Sequence, residues 1–450
     1  MTNDMTKGSP FKLFIWFSIP LLIGNIFQQL YSMVDTIIVG RFVGVEALAA
    51  VGSTNSLLFV LNGIIIGMTS GFSVLVSQKF GAKDFDGVKK AISSNIKLTL
   101  IITLIITVLV LVSKDFVLNL MNTPSNIYND ASAYIEVMYA GMIAQVIYNM
   151  AAGVLRALGD SKTPLYFLII ASFLNIVLDL IFIINFNMGV AGAALATVIS
   201  QGVSAILCII YSYKKFEIVR LKKEDFNVNS DYYKTHLKIG VPMALQFSIT
   251  GLGIMIVQSA LNIFGANTIA AYTSASKVFQ LVLQPSITFS ITMASFTGQN
   301  LGAKNYNRIK EGVTIMTKIS IVTSIISGIA LVVFGEPFVK IFIENPTPII
   351  LKEAQMVLNY SAMFFIPLGL IGVYRNALQG MGESFVAMMA GVYELIARAI
   401  VAFTLPSIIG FTGICLADPC AWLAAAIPLG IAYYKKINVL TSENEELKAA

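Results

Sequence analysis

Four apolar stretches of this chain carry oxygen-bearing side chains at helical spacing, and two of them carry an acid. Asp35 stands in the run Gln28-Gln29-Leu30-Tyr31-Ser32-Met33-Val34-Asp35-Thr36, and Asp179 follows Asn175 by four residues, which puts both on one face of a helix. Thr197, Gln201 and Ser204 recur at helical spacing in a third stretch, and Gln145 and Asn149 do so in a fourth. Carboxyl, amide and hydroxyl oxygens brought together in a low-dielectric setting can take up a proton, because uncompensated charge is costly there, or can ligate Na⁺ as hard donors. Loading and unloading such a site would change how its helices pack. The plainer alternative is that these groups only bond neighbouring helices. The two acids weigh against it, since ionisable groups in hydrocarbon are expensive and mark function by default.

The elements that must position these residues are helices that cross a membrane. Hydrophobic residues make up 56% of the chain, charged residues 12%, and the mean hydropathy is +0.79. A soluble chain needs about twice that share of charge to cover its surface, whereas lipid needs none. Twelve apolar runs bounded by charge, Gly or Pro follow one another, among them 13–40, 132–155, 164–185, 190–212, 353–378 and 412–434, with six in each half. The first two of each half exceed a straight crossing, so tilting, bending or projection beyond the bilayer is expected. The opening run is too long for a signal peptide and is expected to stay in the mature protein.

The two halves are copies. Gln78-Lys-Phe-Gly-Ala-Lys-Asp84 recurs as Gln299-Asn-Leu-Gly-Ala-Lys-Asn305, 221 positions on, and Ala49-Ala50 aligns with Ala270-Ala271 at the same offset. The prolines Pro20 and Pro242 keep it within one residue. The expected fold is therefore an all-α integral membrane protein with twelve transmembrane helices in two pseudo-symmetric six-helix lobes. The lobes are 1–212 and 236–450, joined by the polar segment 213–235. One set of loops, with both termini, holds Lys79, Lys83, Lys89, Lys90, Lys214, Lys215, Lys222, Lys223, Arg308, Lys435 and Lys436 among others, while the opposite set holds Arg41, Lys114, Lys340 and Lys352. This imbalance predicts a multi-pass protein of the inner (cytoplasmic) membrane with both termini in the cytoplasm. An even number of spans per lobe gives the lobes one orientation, related by an axis along the membrane normal.

The same inventory excludes other classes. The net charge of +6 sits in loops, as topology requires, and does not point to nucleic acid. The glycines of the Gly-Ala-Lys repeats are expected to make tight turns, with Lys83 and Lys304 at anionic headgroups. No phosphate-cradling Gly-x-x-x-x-Gly-Lys-Ser/Thr pattern occurs, so ATP is not the expected energy source. Cys208, Cys415 and Cys420 form no disulfide framework. The one histidine, His236, stands beside the linker, which argues against a membrane-embedded enzyme. No cofactor is expected.

In combination, Tyr31-Ser-Met-Val-Asp35-Thr-Ile-Ile-Val-Gly40-Arg41, the paired Gln-x-x-Gly-Ala-Lys motifs, Arg156-Ala-Leu-Gly-Asp160 and Asn175-x-x-x-Asp179 resemble the multidrug and toxic compound extrusion (MATE) family over nearly the whole chain. The prokaryotic DinF-like branch fits best. The resemblance implies twelve helices in two lobes around a central cavity, and antiport of drugs and organic cations against inward H⁺ or Na⁺. It implies a first-lobe cation site of Asp35, Asn175, Asp179 and Thr197, where Na⁺ or a proton would bind, with Asn149 lining the cavity and a bend of the first helix at Pro20. A static kink or a position near the helix start is the other reading of Pro20. The expected cavity lining adds Gln145, Gln201, Met33, Lys277 and Gln280.

The second lobe departs from the family's other main bacterial branch, whose seventh and tenth helices carry coupling acids. Here those helices read Gln246-Phe-Ser-Ile-Thr-Gly-Leu-Gly253 and Phe364-Phe-Ile-Pro-Leu-Gly-Leu370, without a carboxylate. Glu394 and Arg398 have the spacing of an intrahelical ion pair. Lys277 either snorkels or faces the cavity. Asp418 is expected near the outer interface, hydrated. The eighteen Met and twenty-nine Phe suit a cavity that accepts varied organic molecules, without choosing among them. The alternative function is a flippase for lipid-linked oligosaccharides, which the two acids disfavour. A monomer in the bilayer is expected.

Overall fold

The structure, a computed structural model, describes residues 4–343 and 346–449; residues 1–3 and 450, at the ends of the expected lobes, and residues 344–345 lie outside the described residues. The first half comprises α1 (Pro10–Ile38), α2 (Val45–Gly81), α3 (Phe85–Leu120), α4 (Ser125–Ala140), α5 (Met142–Ala157), α6 (Lys162–Leu180) and α7 (Gly189–Lys215). The second comprises α8 (Ser230–Leu261), α9 (Ala266–Gly302), α10 (Tyr306–Phe342), α11 (Pro348–Met363), α12 (Phe365–Gly380), α13 (Ser384–Thr404), the short α14 (Pro406–Ile409) and α15 (Phe411–Cys415), and α16 (Ala417–Ala449).

Among the described residues ten helical spans are long and apolar enough to cross a membrane, and up to twelve if each of two bent pairs is one span. The bent pairs are α4 with α5, at 45°, and α11 with α12, at 52°, where the sequence reads as single runs. Local chemistry explains each bend. At Gly141, a Cβ would overlap the Val198 side chain, so the chain turns where a missing side chain lets α7 approach. In the second pair, Pro367 has no N–H to return to the carbonyl of Met363. Lipid-facing surfaces show helical stripes: along α3, Ile101, Leu104, Ile105, Val108 and Val112 are all exposed.

The chain divides into two compact units, one of Ile19–Ala244 and one of Met5–Ser18 with Leu245–Ala450. Both divisions fall inside helices, near Pro20 of α1 and Pro242 of α8, rather than in the loop after α7. That loop forms two 3₁₀ turns, Glu217–Val219 and Lys223–Phe226. It is tied to α3, with the Ser93 hydroxyl donating to the Asp225 carbonyl at 2.6 Å and Lys97 Nζ to the Phe226 carbonyl at 2.7 Å.

In the first unit, α2 packs on α3, α4 and α5, and α7 packs on α4, α5 and α6. Fully buried Ala50, Leu118, Ile135 and Ala194 belong to its core. Small residues let α2 and the start of α8 touch through their backbones. A Cβ on Gly71 would stand 2.5 Å from Gly240 Cα, and one on Gly67 would stand 2.7 Å from Ala244 Cα. Gly71→Leu and Gly240→Leu are each expected to cost about 1–3 kcal/mol by forcing the helices apart. The check is a lower melting temperature and lower recovery of monodisperse protein in detergent; unchanged melting of both variants would refute the contact.

In the second unit, α9 packs on α10, α11 and α12, and α13 on α16, around Ala271, Leu331, Leu358 and Phe365. Its opening segment is fixed by main-chain bonds. The Met5 N–H donates to Gln299 Oε1 at 2.8 Å, and the Met5 carbonyl accepts from Asn300 Nδ2 and from Arg308 Nε and Nη2, each at 3.2 Å. Arg308 Nη2 also reaches the Lys7 carbonyl at 2.9 Å.

Duplication is visible in the backbone. Left-handed residues recur in matched pairs: Gly44 and Gly265, Lys83 and Lys304, Gly159 and Gly382, Gly189 and Gly410. The second pair corrects the expectation for the Gly-Ala-Lys repeats. Gly81 and Gly302 close α2 and α9 as helical residues, while the left-handed turn falls on Lys83 (φ 58°) and Lys304 (φ 54°). The turn is set by its bonds rather than by a glycine: the Asp84 N–H returns to the Lys79 carbonyl at 3.1 Å, and the Asn305 N–H to the Asn300 carbonyl at 2.9 Å. The Lys79 ammonium and then the Gly87 N–H hold the Asp84 carboxyl below its usual range, which fixes the cap of α3.

Candidate functional site

The two acids stand at the ends of α1 and α6, where both helices loosen in the same way. Each runs on into a π-helical turn, Val39–Val43 after α1 and Ile181–Asn185 after α6, and the two turns pack against each other. Such turns shift the backbone bonding by one residue and recur at functional positions. The helices α8 and α13 of the second half end without them. Asp179 and Asn175 are buried at 0% and 1% exposure, and Asp35 is half-buried.

The Asp35 and Asp179 side chains face each other within hydrogen-bonding reach. Yet among the described residues both oxygens of Asp179, Oδ1 of Asp35 and Oδ1 of Asn175 are buried without a donor. Both statements hold at once because two carboxylates are acceptors only. A proton or a small cation is what would let them share the space.

Thr197 comes from α7, and Asn175 Nδ2 donates to its hydroxyl at 3.4 Å. Beside this contact lies a cavity of about 10 Å³, lined by Tyr31, Ala171, Ser172, Asn175, Thr197, Ser200 and Gln201 among others. A volume of that order holds about one water-sized particle. Tyr31 and Gln201 both border this cavity, and among the described residues Gln201 Oε1, Ser200 Oγ and Ser204 Oγ are further buried oxygens without partners. Asp35, Asn175, Asp179 and Thr197 are therefore gathered on three helices of one unit. Sequence reasoning left out Tyr31, although its place four residues before Asp35, on the same helical face, was a signal.

Of the other candidates, Gln201 belongs with this group, since it lines the same cavity as Asn175 and Thr197. Gln145 and Asn149 are half-buried on α5. Met33 is 39% exposed on α1. Lys277 and Gln280 are exposed on α9 in the second unit, and Lys277 Nζ lies 5.6 Å from the centre of the Phe342 ring. Pro20 is buried within an unbroken α1. Among the described residues no group of three or more His, Cys, Asp or Glu gathers. A bound Na⁺ would therefore rest on two carboxylates, an amide and a hydroxyl, a donor set of hard oxygens that fits it.

The second unit holds a charge array that sequence spacing showed only in part. Arg398 Nη2 meets Glu394 Oε1 at 3.0 Å, the expected intrahelical pair, but Glu394 Oε2 also meets Arg375 Nη2 at 3.0 Å. Arg398 Nε donates to Asp418 Oδ1 at 2.7 Å, and the Tyr272 hydroxyl to Asp418 Oδ2 at 3.2 Å. Asp418, expected near the outer interface and hydrated, is also an ion-pair partner. Its side chain is 34% exposed and is held by a buried guanidinium, because an arginine on α13 needs a second acid. The array joins α9, α12, α13 and α16.

A MatE family model matches residues 20–181 and 242–404, one copy in each half. The chain is 27% identical over 383 residues to the probable multidrug resistance protein YpnP of Bacillus subtilis, covering 84% of both chains. It is 23% identical to the multidrug export protein MepA of Staphylococcus saprophyticus, covering 98% of this chain and 97% of that protein. A solved structure described as the outward-facing conformation of a multidrug resistance MATE family transporter of the MOP superfamily superposes with a TM-score of 0.91. It has 25% identity and spans 97% of this chain and 98% of the other.

Proposed function

This chain belongs to the MatE family of multi-pass membrane transporters, which are not enzymes, and from that premise we propose that it is an antiporter exporting structurally varied, mainly cationic organic compounds in exchange for inward H⁺ or Na⁺. The observation that carries the reading is the pair of facing acids, Asp35 and Asp179, with buried oxygens that no protein donor satisfies. With the site empty, two like charges in a medium of low dielectric repel each other and hold α1 and α6 apart. A proton or Na⁺ removes that repulsion and lets the helices close on it, so the two packings differ in free energy by the occupancy of one ion. The cavity of about 10 Å³ beside the Asn175–Thr197 contact, which neither acid lines, has room for an ion or a water and not for a drug-sized molecule, so a drug would need another place.

On this reading the halves 1–212 and 236–450 are the two duplicated lobes, both termini lie in the cytoplasm, and the transporter works as a monomer in the inner membrane. Pro20 is the hinge of α1. Asn149, Gln145, Gln201, Met33, Lys277 and Gln280 line the drug cavity. The lack of a carboxylate from Gln246 to Gly253 and from Phe364 to Leu370 favours the DinF-like branch.

The test is transport of cationic dyes by everted vesicles under an imposed pH gradient without sodium, then with sodium restored. Dye movement driven by either gradient is expected and identifies the ion. Dye movement independent of both gradients would overturn the reading.

A further inference from the structure

The two halves share a second repeat, and it runs through the candidate site. Gly189-x-x-Gly192-x-x-Leu195-Ala196-Thr197 recurs as Gly410-x-x-Gly413-x-x-Leu416-Ala417-Asp418, 221 positions on, which sets Asp418 in the place of Thr197. The turns before the preceding helices align at Gly159-Asp160 and Gly382-Glu383, 223 positions apart, and both glycines are left-handed at φ 84°. That register sets Arg398 in the place of Asn175, and Glu394 in the place of Ala171. Along the first helix of each half, the prolines Pro20 and Pro242 set Gly253 in the place of Tyr31.

The structure bears this register out by its contacts. Asn175 bonds Thr197 in one half, and Arg398 bonds Asp418 in the other, through the same two helices. Tyr31, Ala171, Asn175 and Thr197 line the cavity of the first half. Their counterparts fill it. A Cβ on Gly253 would collide with Arg398 Nη1, so the volume that a tyrosine ring borders in the first half is taken by a guanidinium in the second. The planar fork of that guanidinium reaches one carboxylate on each side, Glu394 and Asp418.

We propose that Arg398 is a tethered cation: its guanidinium fills, in the second half, the volume that in the first half is the cavity beside the exchangeable-cation site. This inference rests on the cation-coupled reading above and goes further, because it assigns one exchangeable ion to the whole chain. Within the array the charges balance without an ion, Arg375 and Arg398 against Glu394 and Asp418, with Tyr272 completing the bonds of Asp418. In the first half, the Asp35 and Asp179 carboxyls have no such internal partner.

Removing the guanidinium should therefore create a second cation site. The experiment measures melting temperature of purified protein in detergent, in an Asp35→Asn background that disables the first site, with choline, sodium or a few millimolar methylguanidinium as the cation. Arg398→Asn leaves the array one positive charge short. It is expected to melt lower than its parent in choline, and to regain several degrees with sodium or methylguanidinium. The double variant Arg398→Asn, Asp418→Thr copies the Asn175–Thr197 pair and restores neutrality; it is expected to melt close to its parent and to ignore both cations. The idea fails if Arg398→Asn is indifferent to both cations, if it stays unfolded in all three salts, or if the double variant is as unstable as the single one, since each outcome would make Arg398 a packing residue. Undiminished ion-driven efflux by Asp35→Asn would overturn the coupling reading instead, and it leaves this binding measurement readable on its own.

Discussion

Asp179→Asn is expected to reduce ion-driven dye efflux and drug resistance to the level of cells without the transporter, with the amount of protein in the membrane unchanged. The asparagine keeps the volume and can still bond within the group, so folding should survive, while the carboxyl that would exchange a proton or ligate Na⁺ is gone. Asp35→Asn should do the same, because the reading assigns the ion to the pair and not to either acid. For the same reason the double variant should be no worse than either single one, an extreme departure from additivity that marks residues acting as a unit. Vesicle transport and immunoblotting of membranes measure both quantities. Retained efflux by either single variant would refute the coupling role.

The second large effect is on stability. Glu394 is 7% exposed and lies between Arg375 and Arg398, each at 3.0 Å. Glu394→Ala leaves two guanidinium groups short of a partner inside the second unit, and breaking a buried pair in this way typically costs about 3–5 kcal/mol. The expected result is a large fall in melting temperature, far exceeding that of an exposed pair such as Lys340 with Glu336. A fall no greater than that of Glu336→Ala would show that the array is not structural.

The sequence made the helices and the acid pair legible for the same physical reason. In a chain with 12% charged residues, an Asp in the middle of an apolar run stands out, and a four-residue interval fixes which face it shares. Tyr272, Arg375 and Asp418 lie on other helices than Glu394 and Arg398, and no local interval links them, so only the intrahelical segment of the array could be read in advance. The bends at Gly141 and Phe364 were hidden because hydropathy continues across them. The π-helical turns after Asp35 and Asp179 left no mark either, since a fifth residue in a turn changes bonding and not composition. For the Gly-Ala-Lys turns the glycine was the wrong signal, because the capping bonds choose which residue becomes left-handed.

The bonds made by Met5 and Lys7 bear on how the protein is handled. Met5 and Lys7 are cemented into the second unit by Gln299, Asn300 and Arg308 through main-chain atoms, so the path of these residues is fixed there; the Met5 side chain is itself buried, whereas that of Lys7 is exposed and could be exchanged. A change that shifted the path of Met5 or Lys7 would therefore tug on the mortar of the unit at Gln299, Asn300 and Arg308.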